Sequence, residues 1–361
     1  MPILIVTQRQ ATSVRVPQRN GRQITLEDLA THTSGLPRIP TNFKPKDPAN
    51  PYTDYTVDQL YEFLSSYTLP RDIGEKYEYS NLGGGLLGHV LSLRAGMSYE
   101  ALVRSRITGP LHMNDTAITL SPELKARMAQ GYNGKLEPAA NWDLPTLAGA
   151  GALRSTANDL LTFVAANLGY TKTPLASAMA AMLNVRRSTG TPNLEIALAW
   201  HVFSGDPIVW HNGGTGGYRS FIGYDTKTRV GIVVLSNAST PAGVDDIGIH
   251  LLNPKAPLLP ATSFQPPKQR TEIHGEPTRL DGYTGRYEQA PNFILTVTRE
   301  GDHLFAQATG QPKFELFAES EKHYFLKVTD AQITFQTDVS GRATSLTLHQ
   351  LGRDVAAKRI E

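Results

Sequence analysis

The sequence predicts an α+β chain: grouped helices followed by an antiparallel sheet, and after them a small all-β barrel. Three observations predict this. Capped segments with helical spacing of apolar residues fill the first half, the apolar period shortens to two after about residue 190, and a proline-dense stretch then precedes a series of short strand-like runs. These changes place an α+β domain at 1–252, a Pro-rich linker at 253–274 and a barrel domain at 275–361.

The first helix is announced by "TLEDLATHT", in which Thr25 and Asp28 have the spacing of a capping box. "TVDQLYEFLSSY" repeats the device with Thr56 and Gln59, and Val57, Leu60, Tyr61 and Leu64 share one helical face. Further helices are expected at 82–95, 98–107, 121–129, 156–168 and 174–187; Ser121-Pro122 is a cap with proline at the first helical position. "IVWHN", "YRSFIGYD" and "VGIVVLSN" read as strands, with "DTKT" as a hairpin turn, and "VDDIGIHLL" as a helix able to cover the sheet. Residues 253–268 lack periodicity and are rich in proline, the composition of a linker. Beyond them, seven or eight runs such as "FILTVTRE" and "QITFQTD" suggest a small closed barrel or a sandwich.

Composition narrows the function. Hydrophobic residues make up 40% and charged residues 19% of the 361, as in ordinary globular proteins. A net charge of +2 argues against nucleic acid or an anionic membrane as partner. No run approaches the length of a membrane-spanning helix, so membrane insertion is not expected. The absence of cysteine excludes disulfides, thiolate metal sites and a cysteine nucleophile. "MPILIVTQRQ" is not a signal peptide, since its apolar run is short and no basic segment precedes it. A homo-oligomer is left open, and so is the compartment: periplasmic or secreted if a native N-terminus is missing.

Three stretches carry candidate chemistry: "THTSGLP" at 31–37, Tyr79-Ser80-Asn81, and "VWHNGGTGGYRSF" at 209–221. Each has an ordinary reading taken singly: a helix end with a proline stop, a half-buried tyrosine, a glycine-rich hairpin. "GGGLLG" at 83–88 satisfies the dinucleotide-binding spacing G-x-G-x-x-G, but the polar "GEKYEYSNL" before it is no buried parallel strand and no βαβ rhythm follows. Neither G-x-S-x-G nor H-E-x-x-H occurs, which removes the α/β-hydrolase elbow and the zinc-peptidase helix.

Together and in this order, the three stretches resemble the serine β-lactamase and penicillin-recognising hydrolase superfamily, in its branch of class C β-lactamases, family VIII esterases and D-aminopeptidases. "ITLEDLATHTSGLP" resembles that branch's loop signature, "YEYSNLGGGLLG" its Y-x-N box, "LAGAGALRSTANDLLTFVAANLG" its mid-domain segment, and "HNGGTGG" its third box, with histidine where lysine is frequent. The similarity spans roughly residues 14 to 250, and 275–361 resembles a lipocalin-like barrel appended to such hydrolases. The resemblance implies acyl transfer to water without metal or organic cofactor, on a small-molecule carbonyl substrate: a β-lactam, a short-chain ester or a D-amino-acid amide. It further implies that Tyr79 relays protons, that Asn81 hydrogen-bonds the substrate or its surroundings, and that His211 takes the third-box position. Asn212, Gly213 and Gly214 would bind substrate, with the Gly214 N–H as an oxyanion donor. The nucleophilic Ser-x-x-Lys does not occur. The expectation is therefore a chain truncated at its N-terminus and impaired in turnover, the alternative being a non-catalytic binding module that uses the same pocket. Ser80 and Ser34, the latter placed in a surface loop, are weak substitutes for the nucleophile. Histidine in the third box argues against an enzyme restricted to penicillins.

Overall fold

Residues 5–6, 13–240, 243–259, 270–273, 277–290, 293–309, 313–327, 331–350 and 353–361 are described by a computed structural model, in which the chain divides into two units, Met1–Leu258 and Leu259–Glu361. Of the segment expected to be a linker, residues 260–269 and 274 lie outside the described residues.

The first unit opens with two short hairpins, β1 (Ile5–Val6) with β2 (Ser13–Val14) and β3 (Gln18–Arg19) with β4 (Arg22–Gln23). Helices α1 (Leu26–Ala30) and α2 (Val57–Ser66) begin at the expected capping boxes. In each the threonine hydroxyl accepts the N3 amide while the N3 side chain takes the N-cap amide, which satisfies two end donors reciprocally. Leu60, Phe63 and Leu64 of α2 join Ile24, Leu29, Leu36, Leu82, Leu86 and Leu147 in the core of this part.

Helix α3 (Asn81–Ala95) explains the glycines after Tyr79. It packs on the 3₁₀ turn at Ala148–Ala150, and a Cβ added at Gly88 would lie 2.8 Å from Gly149 Cα, one at Gly85 2.6 Å from Leu147 Cδ2. The "GGGLLG" spacing is thus a requirement of close packing. Helix α4 (Tyr99–Val103) runs into a π-helical turn at Arg104–Thr108, and α5 (Pro122–Ala126) and α6 (Ala157–Asn167) follow.

Helix α7 (Ala176–Ala181) ends well short of the expected residue 187. Arg187 and Ser188 instead form strand β5, paired with β6 (Leu194–Ile196), and Arg187 is ion-paired with Glu27. Pairing across distant segments overrides the local helical pattern there. Strands β7 (His201–Phe203), β8 (Ile208–Thr215), β9 (Tyr218–Asp225) and β10 (Gly231–Ser236) complete an antiparallel sheet in the order β10-β9-β8-β7-β6-β5. Its first three strands were not expected. Helix α8 (Asp245–Leu252) lies on β9 and β10, and α6 on the same two strands with Val164, Val209 and Tyr224 in a separate cluster.

In the second unit, α9 (Pro277–Tyr283) precedes β11 (Gly285–Ala290), β12 (Phe293–Glu300), β13 (His303–Ala308), β14 (Lys313–Ala318), β15 (His323–Phe325), β16 (Ala331–Thr337), β17 (Ala343–Gln350) and β18 (Arg353–Arg359). Each strand pairs antiparallel with the next, and Tyr287↔Arg359 and Glu288↔Lys358 close the barrel. The interior is filled with rings: Tyr283 stacks on Phe335 at 4.5 Å, with Tyr324 and Tyr287 at 5.6 and 6.0 Å from the same ring.

Candidate functional site

The extended segment Tyr77–Ser80 and the N-terminus of α3 are held by the loop after α1. That helix ends in a Schellman arrangement: Thr33 N–H donates to Asp28 O at 2.9 Å and His32 N–H to Leu29 O at 3.3 Å. The left-handed position of this motif, where glycine is usual, is occupied by His32 at φ +55°. A residue with a Cβ in that conformation costs about 1 kcal/mol or more. Loop and segment are then joined by Glu78 N–H to His32 O (2.8 Å), Ser80 N–H to His32 Nδ1 (3.2 Å) and Leu82 N–H to Arg38 O (3.1 Å). The Ser80 hydroxyl donates to Pro37 O at 2.6 Å and accepts Gly83 N–H at 2.8 Å, capping α3. Ser80 is therefore a structural cap. Ser34 is buried at 1% exposure, its hydroxyl accepting Leu36 N–H, so its expected place on a surface loop is corrected. The loop closes over the core because Leu36 is itself a core residue.

The ring of Tyr79 lies 4.5 Å from that of His32 and 6.4 Å from that of His211, which β8 delivers from the other half of the unit. The two rings expected in one cleft thus meet. Asn81, two residues on, donates from Nδ2 to the Tyr52 hydroxyl at 3.0 Å. Tyr52 packs on Phe43 and Trp142, so Asn81 is fixed to an aromatic wall. The guanidinium of Arg38 stands 5.1 Å from the centre of the Tyr79 ring.

His211 is joined by His201, whose ring is 5.3 Å away and whose Nε2 is 3.3 Å from the Tyr77 hydroxyl. Strand alternation sends Asn212 to the opposite face from His211, where its Nδ2 donates to Asp245 Oδ2 at 2.6 Å, at the start of α8. Strand β8 pairs with β9 along its whole length but with β7 only at Val209 and Trp210. From His211 through Gly213 and Gly214 to Thr215, one edge has no strand beside it among the described residues. Such an edge offers amides and carbonyls to a ligand.

Burial controls the charges. It holds His32 at about 4, with His211, His201 and Arg38 adding to the effect, and His201 at about 4, with His211 adding. His211 is lowered by burial, against the Asn212 carbonyl and Asp245, which favour its charged form. Burial pushes Tyr77 up to about 12 and raises Tyr79, with Arg38 opposing in both. Near neutral pH the cluster is three neutral imidazoles and two protonated phenols, with Arg38 the adjacent cation. The tautomers follow from the hydrogen bonds. The Ser80 amide must donate to His32 Nδ1, leaving the proton of that ring on Nε2. His211 Nδ1 lies 2.6 Å from the Asn212 carbonyl, which only accepts, so this ring carries its proton on Nδ1 and keeps a lone pair on Nε2. The cleft thus holds a neutral imidazole with a free Nε2 lone pair at His211 and a protonated phenol at Tyr79. His32, His201, Arg38 and Tyr77 were not singled out from the sequence; the signal was that His32 and Arg38 sit inside or beside the quoted "THTSGLP" and Tyr77 opens "YEYSNLGGGLLG". Among the described residues no group of three or more metal-ligating side chains forms, and no helix is long and apolar enough to cross a membrane.

Comparison with known proteins places this geometry. Residues 10–253 match the Beta-lactamase family, and residues 269–360 match a domain of unknown function, DUF3471. The D-alanyl-D-alanine-carboxypeptidase/endopeptidase AmpH of Escherichia coli (strain K12) is 29% identical over 272 residues, which are 69% of each chain. Penicillin-binding protein 4* of Bacillus subtilis (strain 168) is 27% identical over 367 residues, 94% of this chain and 78% of that one. A beta-lactamase/D-alanine carboxypeptidase from Yersinia pestis, complexed with citrate, superposes with TM-score 0.55 at 26% identity, covering 66% of this chain and 71% of that one. A class C beta-lactamase superposes with TM-score 0.51 at 24% identity, and the present chain spans 66% of its length. With the family model matched over residues 10–253, most of the chain, and the fold shared with these structures, the chain belongs to the Beta-lactamase family.

Proposed function

We propose that the cleft binds a small carbonyl compound (a lactam, an ester or a D-amino-acid amide) and supports its acyl transfer to water. The observation that carries this reading is the approach of Tyr79 to His211, 6.4 Å between ring centres, beside the unpaired edge of β8. His211 Nε2 takes the proton of the attacking hydroxyl or water. The Tyr79 phenol gives a proton to the leaving group, and the Gly214 N–H receives the developing oxyanion. Neutral histidine at the third box favours esters and amides over substrates recognised through a fixed positive charge at that position.

A specific observation favours a second reading, binding without a covalent step. Ser-x-x-Lys does not occur in the 361 residues, and of the serines in the three motifs Ser80 is engaged as a helix cap and Ser34 in its own turn. Titration with a fluorescent penicillin and with an acyl-D-alanine amide, followed by intact mass spectrometry, separates the two. Saturable binding that weakens on the order of tenfold or more in Y79F and H211A supports the site. A covalent adduct, or product release lost in both variants, supports acyl transfer; binding with neither supports the binding module. No saturable binding by the full chain overturns both.

A further inference from the structure

We propose that His32 is a positioning residue, the middle rung of a three-rung clamp that presents Tyr79 and Asn81 to the cleft; its functional meaning rests on the reading given above. The N–H groups of Glu78 and Ser80, in the run that enters α3, and of Leu82, in its first turn, all donate to the loop after α1. The outer two meet backbone carbonyls, those of His32 and Arg38. The middle one meets the imidazole Nδ1 of His32, so a side chain completes a ladder that is otherwise main chain. Tyr79 lies between the first two rungs, and Asn81, the first residue of α3, between the second and third. The same ring flanks Tyr79 at 4.5 Å and Tyr77 edge-on at 5.8 Å, fixing the phenol laterally as well.

The backbone gives an independent reason to look to the side chain. Position 32 is the left-handed residue of a Schellman motif, and glycine would fill it with less strain. A residue with a Cβ is held there while its ring is 7% exposed and hydrogen-bonded. The groups facing that ring are Tyr77, Tyr79, His201, His211 and Arg38, none of which is a carboxylate that would favour a charged imidazole. The rung therefore stays an acceptor throughout the neutral range.

The test compares H32N, H32G and H32L in the full chain. Asparagine keeps an acceptor near the Nδ1 position and tolerates the left-handed backbone; glycine relieves the backbone and loses the acceptor; leucine fills the volume with no acceptor. The readouts are the Ser80 amide resonance and the Tyr79 Cζ resonance, the latter assigned with Y79F, with far-UV circular dichroism as a check of folding. The clamp predicts that H32N stays near the wild type in both resonances, while H32G and H32L move both. Where turnover is measurable, H32G lowers kcat on the order of a hundredfold with KM little changed, and H32N recovers most of it. The proposal is overturned if H32G matches the wild type, which would make the position a helix terminus alone. It is equally overturned if H32L matches while H32N does not, which would make the ring mere packing volume. Both resonances are read without substrate, so a failure of the clamp is distinguishable from a failure of the hydrolytic reading.

Discussion

Two regions of the molecule hold histidine networks, and hydrogen-bond geometry and burial rank them in opposite orders. On the outer wall of the barrel, Thr334 Oγ1 lies 2.8 Å from His349 Nε2, and His349 Nδ1 lies 2.7 Å from Asp354 Oδ1. That is the hydroxyl–imidazole–carboxylate order of a catalytic relay. In the cleft, no hydrogen bond joins Tyr79 to His211 in the described contacts, and their rings stand 6.4 Å apart. Yet Asp354 is 72% exposed at its side chain, and the three barrel groups alternate with the inward Ile333, Phe335 and Leu346 on neighbouring strands. Water competes for every bond there, and an exposed pair of this kind contributes little. In the cleft, burial shifts every ring of the cluster, which is the signature to follow when searching for chemistry. Alignment of donors and acceptors is common on sheets as cross-strand pairing; desolvation next to an unpaired strand edge is not.

The sharpest way to break the comparison is to disturb what holds the cleft in place. Replacing Gly88 by valine drives a side chain into Gly149 of the 3₁₀ turn. It should destabilise the first unit by about 3 kcal/mol or more, read from urea unfolding, with ligand binding lost. Next comes acid. In the unfolded chain His32 and His201 take up protons near 6.5, whereas the folded rings stay neutral until about 4. More protons bind to the unfolded state across that window, so stability falls as the pH drops from 6.5 to 4, on the order of 3 kcal/mol per imidazole. Unfolding midpoints of the first unit at pH 7, 6, 5 and 4 check this, and H201Q should flatten the slope. A smaller effect is expected for Thr25→Ala, which removes the N-terminal cap of α1, the helix whose C-terminal loop carries His32. It should cost about 1 kcal/mol. The smallest belongs to the barrel wall: T334A and H349A should each change stability by less than about 1 kcal/mol, and neither should alter ligand binding in the cleft. A large effect there would reverse the ranking drawn from burial.

Much of the architecture was legible because its signals are local. The capping boxes at Thr25–Asp28 and Thr56–Gln59 involve residues three apart, and both form as written. The all-β character of the second unit announced itself through turn residues between short runs, which left barrel or sandwich open, and all eight strands pair in sequence as a closed barrel. Strands β5 to β7 were missed because they are two or three residues long and gain their pairing from β8 and from each other. The end of α7 was misjudged for the same reason. In the candidate site, Tyr79, Asn81 and His211 were proposed through their boxes, and the fold brings the rings of Tyr79 and His211 within 6.4 Å. The partners that define them (His32 behind Tyr79, Tyr52 on Asn81, Asp245 on Asn212) come from 47, 29 and 33 positions away in the chain, and no local pattern marks such pairs.

By itself the sequence determined the helix starts and the all-β character of the second unit, since each depends on residue spacing within one or two turns or strands, while its resemblance to known hydrolases gave the family. Only the tertiary structure decided the state of the site. Whether an imidazole is charged, which of its nitrogens carries the proton, and whether a strand edge is free depend on what surrounds each group in space. Those surroundings are assembled from segments that the chain keeps far apart.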